Sequence, residues 1–259
     1  VTPLRVINLA SGSKGNATIL EADGVRILID CGVSFSELSR RMQPFRIRPQ
    51  DVDAVLITHD HSDHIAGLPT FARRCDCPIL FPAGLDCLFD ESESRTFVPG
   101  RRLGLTIHQD LDVLPVAIPH DCHPTVAFVV YWLGKKFVYM TDLGHVTDAL
   151  LAKIDPPGDK PTDLLLLEAN HDVRMLAEGP YPQFLKERIR SRNGHLSNDQ
   201  SLDALSRMSR LPKAVMFGHL SEENNRPRMV AAAFEASDVA GMTRVLIASQ
   251  HEATVVARV

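Results

Sequence analysis

The sequence predicts a mixed α/β (α+β) chain folded as a four-layer αββα sandwich, two sheets with helices on their outer faces. Short β-branched apolar runs alternate with segments of helical spacing along the chain. Several of these runs end directly at a His or an Asp, so reactive side chains stand on strand ends, held by rigid elements. With 259 residues and 44% apolar content the chain can bury a sizeable core, and the span 1–259 is expected to form a single domain.

The first half carries apolar runs at 5–9, 18–21, 25–30, 52–58 and 79–81. The fourth, Val-Asp-Ala-Val-Leu-Ile-Thr, is bounded by polar residues and reads as a buried strand. Residues 65–74 have helical spacing, with Ser62 as the expected N-cap. Further strands are expected at 103–107, 113–118, 126–133, 137–140, 164–167 and 215–217. Helices are expected at 184–189, just after Pro182, and at 199–208. The Asp-Pro-Pro-Gly-Asp segment at 155–159 reads as an exposed loop, and nothing repeats or is low in complexity.

No run reaches the roughly 18 to 20 apolar residues of a membrane span, and no basic-then-apolar leader opens the sequence. The five cysteines (Cys31, Cys75, Cys77, Cys87, Cys122) have no paired C-x-x-C spacing, so free thiols and a cytoplasmic location are expected. Cys75-Asp-Cys77 lacks the second pair that a thiolate metal site needs. A net charge of −4 gives no global attraction to nucleic acid. Locally, Lys186, Arg188, Arg190 and Arg192 outweigh Glu187 in a stretch that leads into Gly194-His195, and cations beside a reacting group suit a phosphate backbone. Arg73-Arg74 and Arg101-Arg102 are further basic pairs.

The run Thr58-His59-Asp60-His61-Ser62-Asp63-His64 sets four good metal ligands directly after the 52–58 strand. A single tetrahedral ion takes three or four such groups together with a water. Adjacent Asp63 and His64 do not easily face the same ion as His59 and His61, so two ions are the simpler reading. Imidazole and carboxylate without thiolate suit Zn²⁺ or Mn²⁺ alike.

The pattern H-x-H-x-D-H resembles the signature of the metallo-β-lactamase fold superfamily, which needs a further His, a bridging Asp and a last His on later strand ends. Pro119-His120-Asp121, Thr141-Asp142-Leu143-Gly144 and Gly218-His219-Leu220-Ser221 stand at such ends in that order. The resemblance implies His59, His61 and His120 on one ion, Asp63, His64 and His219 on a second, and Asp142 bridging them. His123 is a rival for the place of His120. Asp30, closing Ile-Leu-Ile-Asp-Cys-Gly32, resembles the superfamily's first motif, whose Asp steadies the metal loop from behind. Glu168, at the end of Leu164-Leu-Leu-Leu, looks like the acidic motif of the nucleic-acid-processing branch, and His195 like its additional His. In tRNA 3′-processing relatives such a pair supplies the proton to the leaving oxygen.

Taken with Ala10-Ser-Gly-Ser-Lys-Gly-Asn16, Glu168-Ala-Asn-His-Asp172, Gly179-Pro-Tyr-Pro182 and His219-Leu-Ser-Glu-Glu-Asn-Asn225, these motifs are similar to the YycJ (WalJ) family of exonucleases. The resemblance implies 5′→3′ degradation of DNA in DNA (mismatch) repair, with mismatch-repair proteins as partners. His145 departs from the aromatic residue expected after Thr-Asp-Leu-Gly and puts a second imidazole near the site; His171 stands undecided beside Glu168.

The expected chemistry is attack of metal-bound hydroxide on phosphorus, with Asp63 orienting it or taking its proton and His195 with Glu168 assisting the leaving 3′-oxygen. Ser13, Asn16, Arg188, Arg190 and Arg192 are the expected holders of the DNA backbone. An RNA-processing hydrolase is the alternative, although residues 143–218 leave no room for the large inserted β-CASP domain of RNA-degrading relatives. A small-ester or thioester hydrolase of the glyoxalase II type would not require Glu168, His195 or the basic stretch. A non-catalytic nucleic-acid or scaffold protein is opposed by the complete ligand set.

Overall fold

The computed structural model describes residues 3–85, 94–105 and 107–256; Cys87 and Thr106 lie outside them. Among the described residues two sheets face each other, one of seven strands and one of six. The first is built from β1 (Arg5–Ala10), β2 (Ala17–Ala22), β3 (Val25–Ile29), β4 (Ala54–Leu56), β5 (Ile79–Pro82) and β6 (Ser94–Phe97), with β13 (Thr254–Val256) returning beside β1. The second holds β7 (Leu111–Ala117), β8 (Val126–Trp132), β9 (Lys135–Met140), β10 (Leu164–Glu168), β11 (Ala214–Gly218) and β12 (Arg244–Ile247). Each sheet begins antiparallel and ends parallel: β3 to β6 in the first, β9 to β12 in the second. Parallel strands deliver their C-terminal ends to the same edge, which is where loops carrying chemistry collect.

Alternation along the strands shows why two sheets pack with helices outside. Ile27 and Ile29 of β3, Phe137 and Tyr139 of β9, and Leu164 and Leu166 of β10 all enter one core between the sheets. Their neighbours face outward, Leu28 into a layer shared with Leu38, Met42 and Phe71, and Val138, Leu165 and Leu167 into a layer shared with Leu151, Leu205 and Phe234. Those outer partners sit on α1 (Phe35–Met42) and α3 (Leu68–Ala72) over the first sheet, and on α4 (Asp148–Ile154), α7 (Asn198–Ser206) and α8 (Pro227–Glu235) over the second. A period of two with both faces apolar is the signature of a sheet covered on both sides. The αββα order follows.

Three expectations change. The helix expected at 65–74 is two pieces, α2 (Ser62–Ile65) and α3, and Ser62 is its first helical residue rather than its cap, a place taken by His61 without a side-chain bond. The break falls at Gly67, whose N–H donates to the Cys31 carbonyl at 2.8 Å instead of to α2, and where an added Cβ would lie 2.0 Å from the Val33 carbonyl oxygen. The strand expected at 103–107 reduces to a single bridge between Leu103 and Val113 among the described residues. In the 155–159 loop Asp155 is 4% exposed and accepts a hydrogen bond from the Ser209 hydroxyl, so one end of that loop is tied down. Two further helices, α5 (Val173–Glu178) and α6 (Gln183–Arg190), lie between β10 and β11. Among the described residues no helix is long and apolar enough to cross a membrane.

Leu166 has no exposed surface in the inter-sheet core. Truncating it, Leu166→Ala, is expected to cost about 2–5 kcal/mol, read as a lower midpoint in urea unfolding; a midpoint equal to the parent's would show that the sheets do not depend on this layer.

Candidate metal centre

The expected ligands, and the supporting Asp30 and Glu168 with them, lie at or just beyond strand ends. Asp30 follows β3, His59 to His64 follow β4, His120 follows β7, Asp142 follows β9, and His219 follows β11, while Glu168 is the last residue of β10. Three of them, Asp30, Asp142 and His219, adopt left-handed backbone with φ of 59°, 59° and 53°. Side chains other than glycine pay steric energy in that region and keep it only where the surroundings impose it. The turn it creates swings each side chain off the sheet edge toward a common point.

There the ligand atoms converge as overlapping groups: His59, His61 and His120; His59, His64 and Asp142; Asp63, His64 and His219. Asp142 Oδ2 lies 3.0 Å from His64 Nε2, His120 Nε2 3.3 Å from His61 Nδ1, and His219 Nε2 3.3 Å from Asp63 Oδ2. A tetrahedral ion with bonds of about 2.0–2.1 Å separates its ligands by about 3.3 Å, so these spacings are those of atoms sharing a cation.

Orientation points the same way. Nδ1 of four imidazoles faces outward to an acceptor: His64 to Asp30 at 2.7 Å, His219 to Glu168 at 2.8 Å, His59 to the Thr58 hydroxyl at 3.0 Å, and His120 to the Gly194 carbonyl at 3.2 Å. That leaves Nε2 of each directed inward, the orientation in which an imidazole is presented to a metal. His61 is reversed, with Nδ1 inward and Nε2 3.6 Å from Asp121. The Nε2 of His59 is fully buried and has no hydrogen-bond partner among the described residues, and the equally buried Oδ2 of Asp142 faces only imidazole, at His64 Nε2. Buried polar atoms are seldom left so, and a divalent cation would satisfy both. The residues present therefore fit the group.

Electrostatics tell of a site shaped for positive charge. Burial works against a charged His64, yet Asp142 and Asp30 on either side draw its pKa up to about 10. Burial, reinforced by the neighbouring His64, pushes His59 well below 6.5. Burial would raise the Glu168 carboxyl, but the charges and hydrogen bonds of His195 and His219 outweigh it and hold it near 2. His195 rises in return, its burial overcome by Glu168.

The loop beneath is equally constrained. Asp30 accepts from the Thr58 backbone N–H at 2.9 Å and from the Thr58 hydroxyl at 3.0 Å, and Tyr139 of the opposite sheet donates to it at 3.3 Å. Gly32 lies so close that an added Cβ would fall 1.7 Å from the Asp63 carbonyl oxygen. At the far side an added Cβ on Gly194 would fall 2.1 Å from the Ile189 carbonyl oxygen, which lets the end of α6 tuck under His120.

Glu168 does more than expected. Its Oε1 lies 2.7 Å from His195 Nδ1 and 2.8 Å from His219 Nδ1, while Oε2 accepts from the backbone N–H groups of Leu143 and Leu196. Both its oxygens are engaged at the backs of the imidazoles, although with Asp142, His195 and His219 it also forms a group close enough to hold an ion. His120 is 6% exposed and within the cluster, whereas its rival His123 is exposed and belongs to no His/Asp cluster among the described residues.

The expected substrate contacts divide. Ser13 and Arg188 line a cleft of about 230 Å³ above the cluster, together with His61, Asp63, Asp142, His195 and His219. Asn16 does not reach it. It is fully buried, its amide nitrogen lying 3.2 Å from the Gly12 carbonyl and 3.3 Å from that of Asp63, and its oxygen accepts from Gly12 N–H. It braces the ligand loop and has no surface for a phosphate. Arg190 and Arg192 are exposed but outside the cleft lining, and Arg192 is bound to His145, which draws that imidazole away from the cluster. Arg74 covers the Phe35 ring and Arg102 pairs with Asp112, so neither basic pair reaches the cleft. His171 is buried against Ser197, and burial lowers it to about 4.

Sequence reasoning missed Ser11, whose hydroxyl accepts from the His219 N–H at 2.7 Å, and Asn170, which donates to the His219 carbonyl at 3.0 Å. It also missed Asp121, which pairs with Arg188, and Tyr181 and Leu185 of the cleft wall. Ser11 and Asn170 fell within motifs already singled out, which was the available signal.

Ligands that bind only the folded chain stabilise it. Protein stripped with chelator is expected to melt at a lower temperature than protein supplied with Zn²⁺ or Mn²⁺, and His64→Ala should lose most of that gain. Melting that ignores both ions would show that the cluster holds neither.

Residues 25–220 match the family model described as a Beta-lactamase superfamily domain. The chain is 33% identical over 232 residues to the exodeoxyribonuclease WalJ of Streptococcus pneumoniae serotype 2, covering 84% of this chain and 81% of that one. It is 29% identical over 233 residues to the exodeoxyribonuclease YycJ of Bacillus anthracis, covering 84% and 82%. Among solved structures, the metallo-β-lactamase fold protein YhfI of Bacillus subtilis superimposes with a TM-score of 0.72 over 98% of this chain and 100% of that one, at 15% identity, a likeness of fold. With the strand-end cluster, these matches show that the chain belongs to the WalJ/YycJ family within the metallo-β-lactamase superfamily, and that it is a metal-dependent hydrolase.

Proposed function

We propose that the chain is a two-metal phosphodiesterase, a 5′→3′ DNA exonuclease acting in DNA mismatch repair, and that it works as one unit without an inserted β-CASP domain. The observation that carries the reading is the Glu168–His195 pair, 2.7 Å apart, set into a cleft directly above the ligand cluster. Ester hydrolysis by metal ions alone has no need of a buried carboxylate holding a cationic imidazole. The names of the streptococcal and bacillary relatives supply the choice of DNA as substrate.

In this reading His59, His61 and His120 hold one ion, Asp63, His64 and His219 the other, and Asp142 stands between them. A pair of divalent cations, when bound, makes a nucleophile available at neutral pH and offsets charge on the oxygens of an in-line displacement. The residues do the rest. Glu168 occupies His195 Nδ1, so the ring's other nitrogen faces the cleft and gives its proton to the departing 3′-oxygen. Asp63, 19% exposed at its side chain, is the carboxylate placed to orient the attacking group or take its proton. Arg188, drawn to Asp121 on the cleft wall, exchanges that carboxylate for a substrate phosphate, and Ser13 offers a hydroxyl from the opposite side.

The decisive experiment follows products from linear DNA labelled at its 5′ end, duplex and single-stranded, with Mn²⁺ present. Early release of labelled mononucleotide is expected. No cleavage of either DNA by protein carrying bound metal would overturn the reading, and cleavage of RNA alone would replace it with an RNA-processing hydrolase. Within the same assay His195→Ala should lower turnover about 10²–10⁴-fold while metal content stays at the parent's value. Asp142→Ala should abolish activity and lower metal content as well. Full turnover in His195→Ala would remove the proton-donor role.

A further inference from the structure

Arginines that the metal centre leaves unused gather on the outer face of the first sheet. There α1 and the two single turns that follow it, Gln43–Phe45 and Pro49–Asp51, enclose a groove of about 620 Å³. Arg40, Arg46 and Arg48 line it, all exposed. Among the described residues no carboxylate belongs to its lining, in a chain with 32 acidic residues against 28 lysines and arginines. Phe35, half-buried, closes one end, and the Arg74 guanidinium lies 4.9 Å from the centre of its ring, which brings a fourth arginine to the rim.

These guanidiniums are presented rather than consumed. Arg41 shows the contrast, being buried and donating to the Leu9 and Gln250 carbonyls and to Glu37. Glu37 is shared between Arg41 and Arg40, and Asp51 takes Arg48. Arg46 and Arg74 pair with no carboxylate among the described residues, so positive charge is left over. Arg46 also holds a left-handed backbone, with φ of 59°, at a turn that glycine would close without steric cost. What arginine adds at that position is its guanidinium.

Cations spread along a surface suit a row of phosphates, whereas a single phosphate is gripped by donors that converge on it. The eight residues of α1 extend about 12 Å, and a DNA strand presents a phosphate about every 3.4 Å of helix axis. The groove also begins beside the ligand loop. Gly32, packed on the Asp63 carbonyl, stands three residues before Phe35, a reach of at most about 11 Å. One substrate can therefore lie on the ions at its end and on the groove along its body.

We propose that this groove is a second contact for the DNA phosphate backbone, holding the body of the substrate while its end is cut; this rests on the phosphodiesterase reading above. Arg40, Arg46, Arg48 and Arg74 meet phosphates and no base, so the contact is independent of sequence. None of them touches a reacting atom, and they act on affinity rather than on the chemical step.

The test is binding of metal-loaded protein to a 3′-fluorescein duplex of about 30 base pairs with hydrolysis-resistant phosphorothioate linkages, read by fluorescence anisotropy from about 50 to 200 mM salt. Arg46→Gln and Arg74→Gln should each weaken binding about 5- to 10-fold at about 0.1 M salt. Each should also lower the slope of log affinity against log salt by about 0.9, and the double variant by about twice that. Arg46→Lys, which keeps the charge, should stay near the parent. On unmodified duplex both glutamine variants should raise KM and leave kcat unchanged. Both side chains are exposed, so neither change removes core packing. Parent-like affinity and slope in the double variant would overturn the contact even where the protein cuts DNA, and would leave the groove to a small anion or an acidic protein surface. Weaker binding with an unchanged slope, or a lower kcat at unchanged KM, would overturn it as well. A metal-loaded parent that neither binds nor cuts DNA, duplex or single-stranded, would instead sink the phosphodiesterase reading and the groove's role with it.

Discussion

Asp30 is a carboxylate with no exposed surface, and four donors converge on it from two parts of the chain: the backbone and hydroxyl of Thr58 and the ring of His64 from one loop, and the phenol of Tyr139 from the other sheet. Charge removed from water at such depth is tolerated only when its partners are complete. The partners here belong to β4's loop and to β9 of the other sheet, so meeting the needs of one carboxylate registers the two sheets against each other at their shared edge. It also fixes His64 with Nδ1 outward and Nε2 toward Asp142 and Asp63. Glu168 repeats the device on the opposite side for His219 and His195. The metal centre is thus set by two buried carboxylates that need touch no metal.

The ligand set was legible in the sequence because its residues are chemically conspicuous and each ends an apolar run. Strand boundaries were equally plain where both faces are buried, as in β9 and β10, since continuous apolar runs of that length have few other uses. What sequence could not convey was depth. Asn16 reads as a free amide beside glycines, and only burial shows that Gly12, Asp63 and His64 consume it. The break between α2 and α3 falls where the Gly67 N–H turns to the Cys31 carbonyl, a contact between residues far apart in the chain. β12, β13 and α8 carry no reactive motif and short or mixed patterns, β12 being only half-buried along most of its length. The basic stretch was visible as composition, but a helix spreads consecutive residues around its axis, so Arg188 faces the cleft while Arg190 does not.

Net charge misleads about this molecule's partners. The chain carries −4 overall, and carboxylates crowd the cluster itself, yet each of the buried ones is matched by imidazole or held to accept a cation. At the rim the balance turns on a single pair. Asp121 hydrogen-bonds Arg188 while its other oxygen lies 3.3 Å from His120 and 3.6 Å from His61. The carboxylate therefore keeps the guanidinium beside the ligands and partly desolvated before any substrate arrives. In the reading proposed above, a substrate phosphate would exchange with Asp121, which costs less reorganisation than capture by a freely rotating arginine.

The strained backbones at Asp30, Asp142 and His219 bear on why the fold tolerates such a site. A left-handed non-glycine residue costs about 1–3 kcal/mol, and each of these is followed or framed by tight packing: Gly32 on the Asp63 carbonyl after Asp30, Gly144 on the Arg192 carbonyl after Asp142, and Ser11 and Asn170 on the N–H and carbonyl of His219. None of those contacts supplies the buried His59 Nε2 or Asp142 Oδ2 with a partner. The protein scaffold thus compensates the geometry of the turns while leaving the unpartnered His59 Nε2 to be satisfied by a bound cation. Stability and site occupancy are for that reason one equilibrium, since what binds the cluster binds only the folded chain.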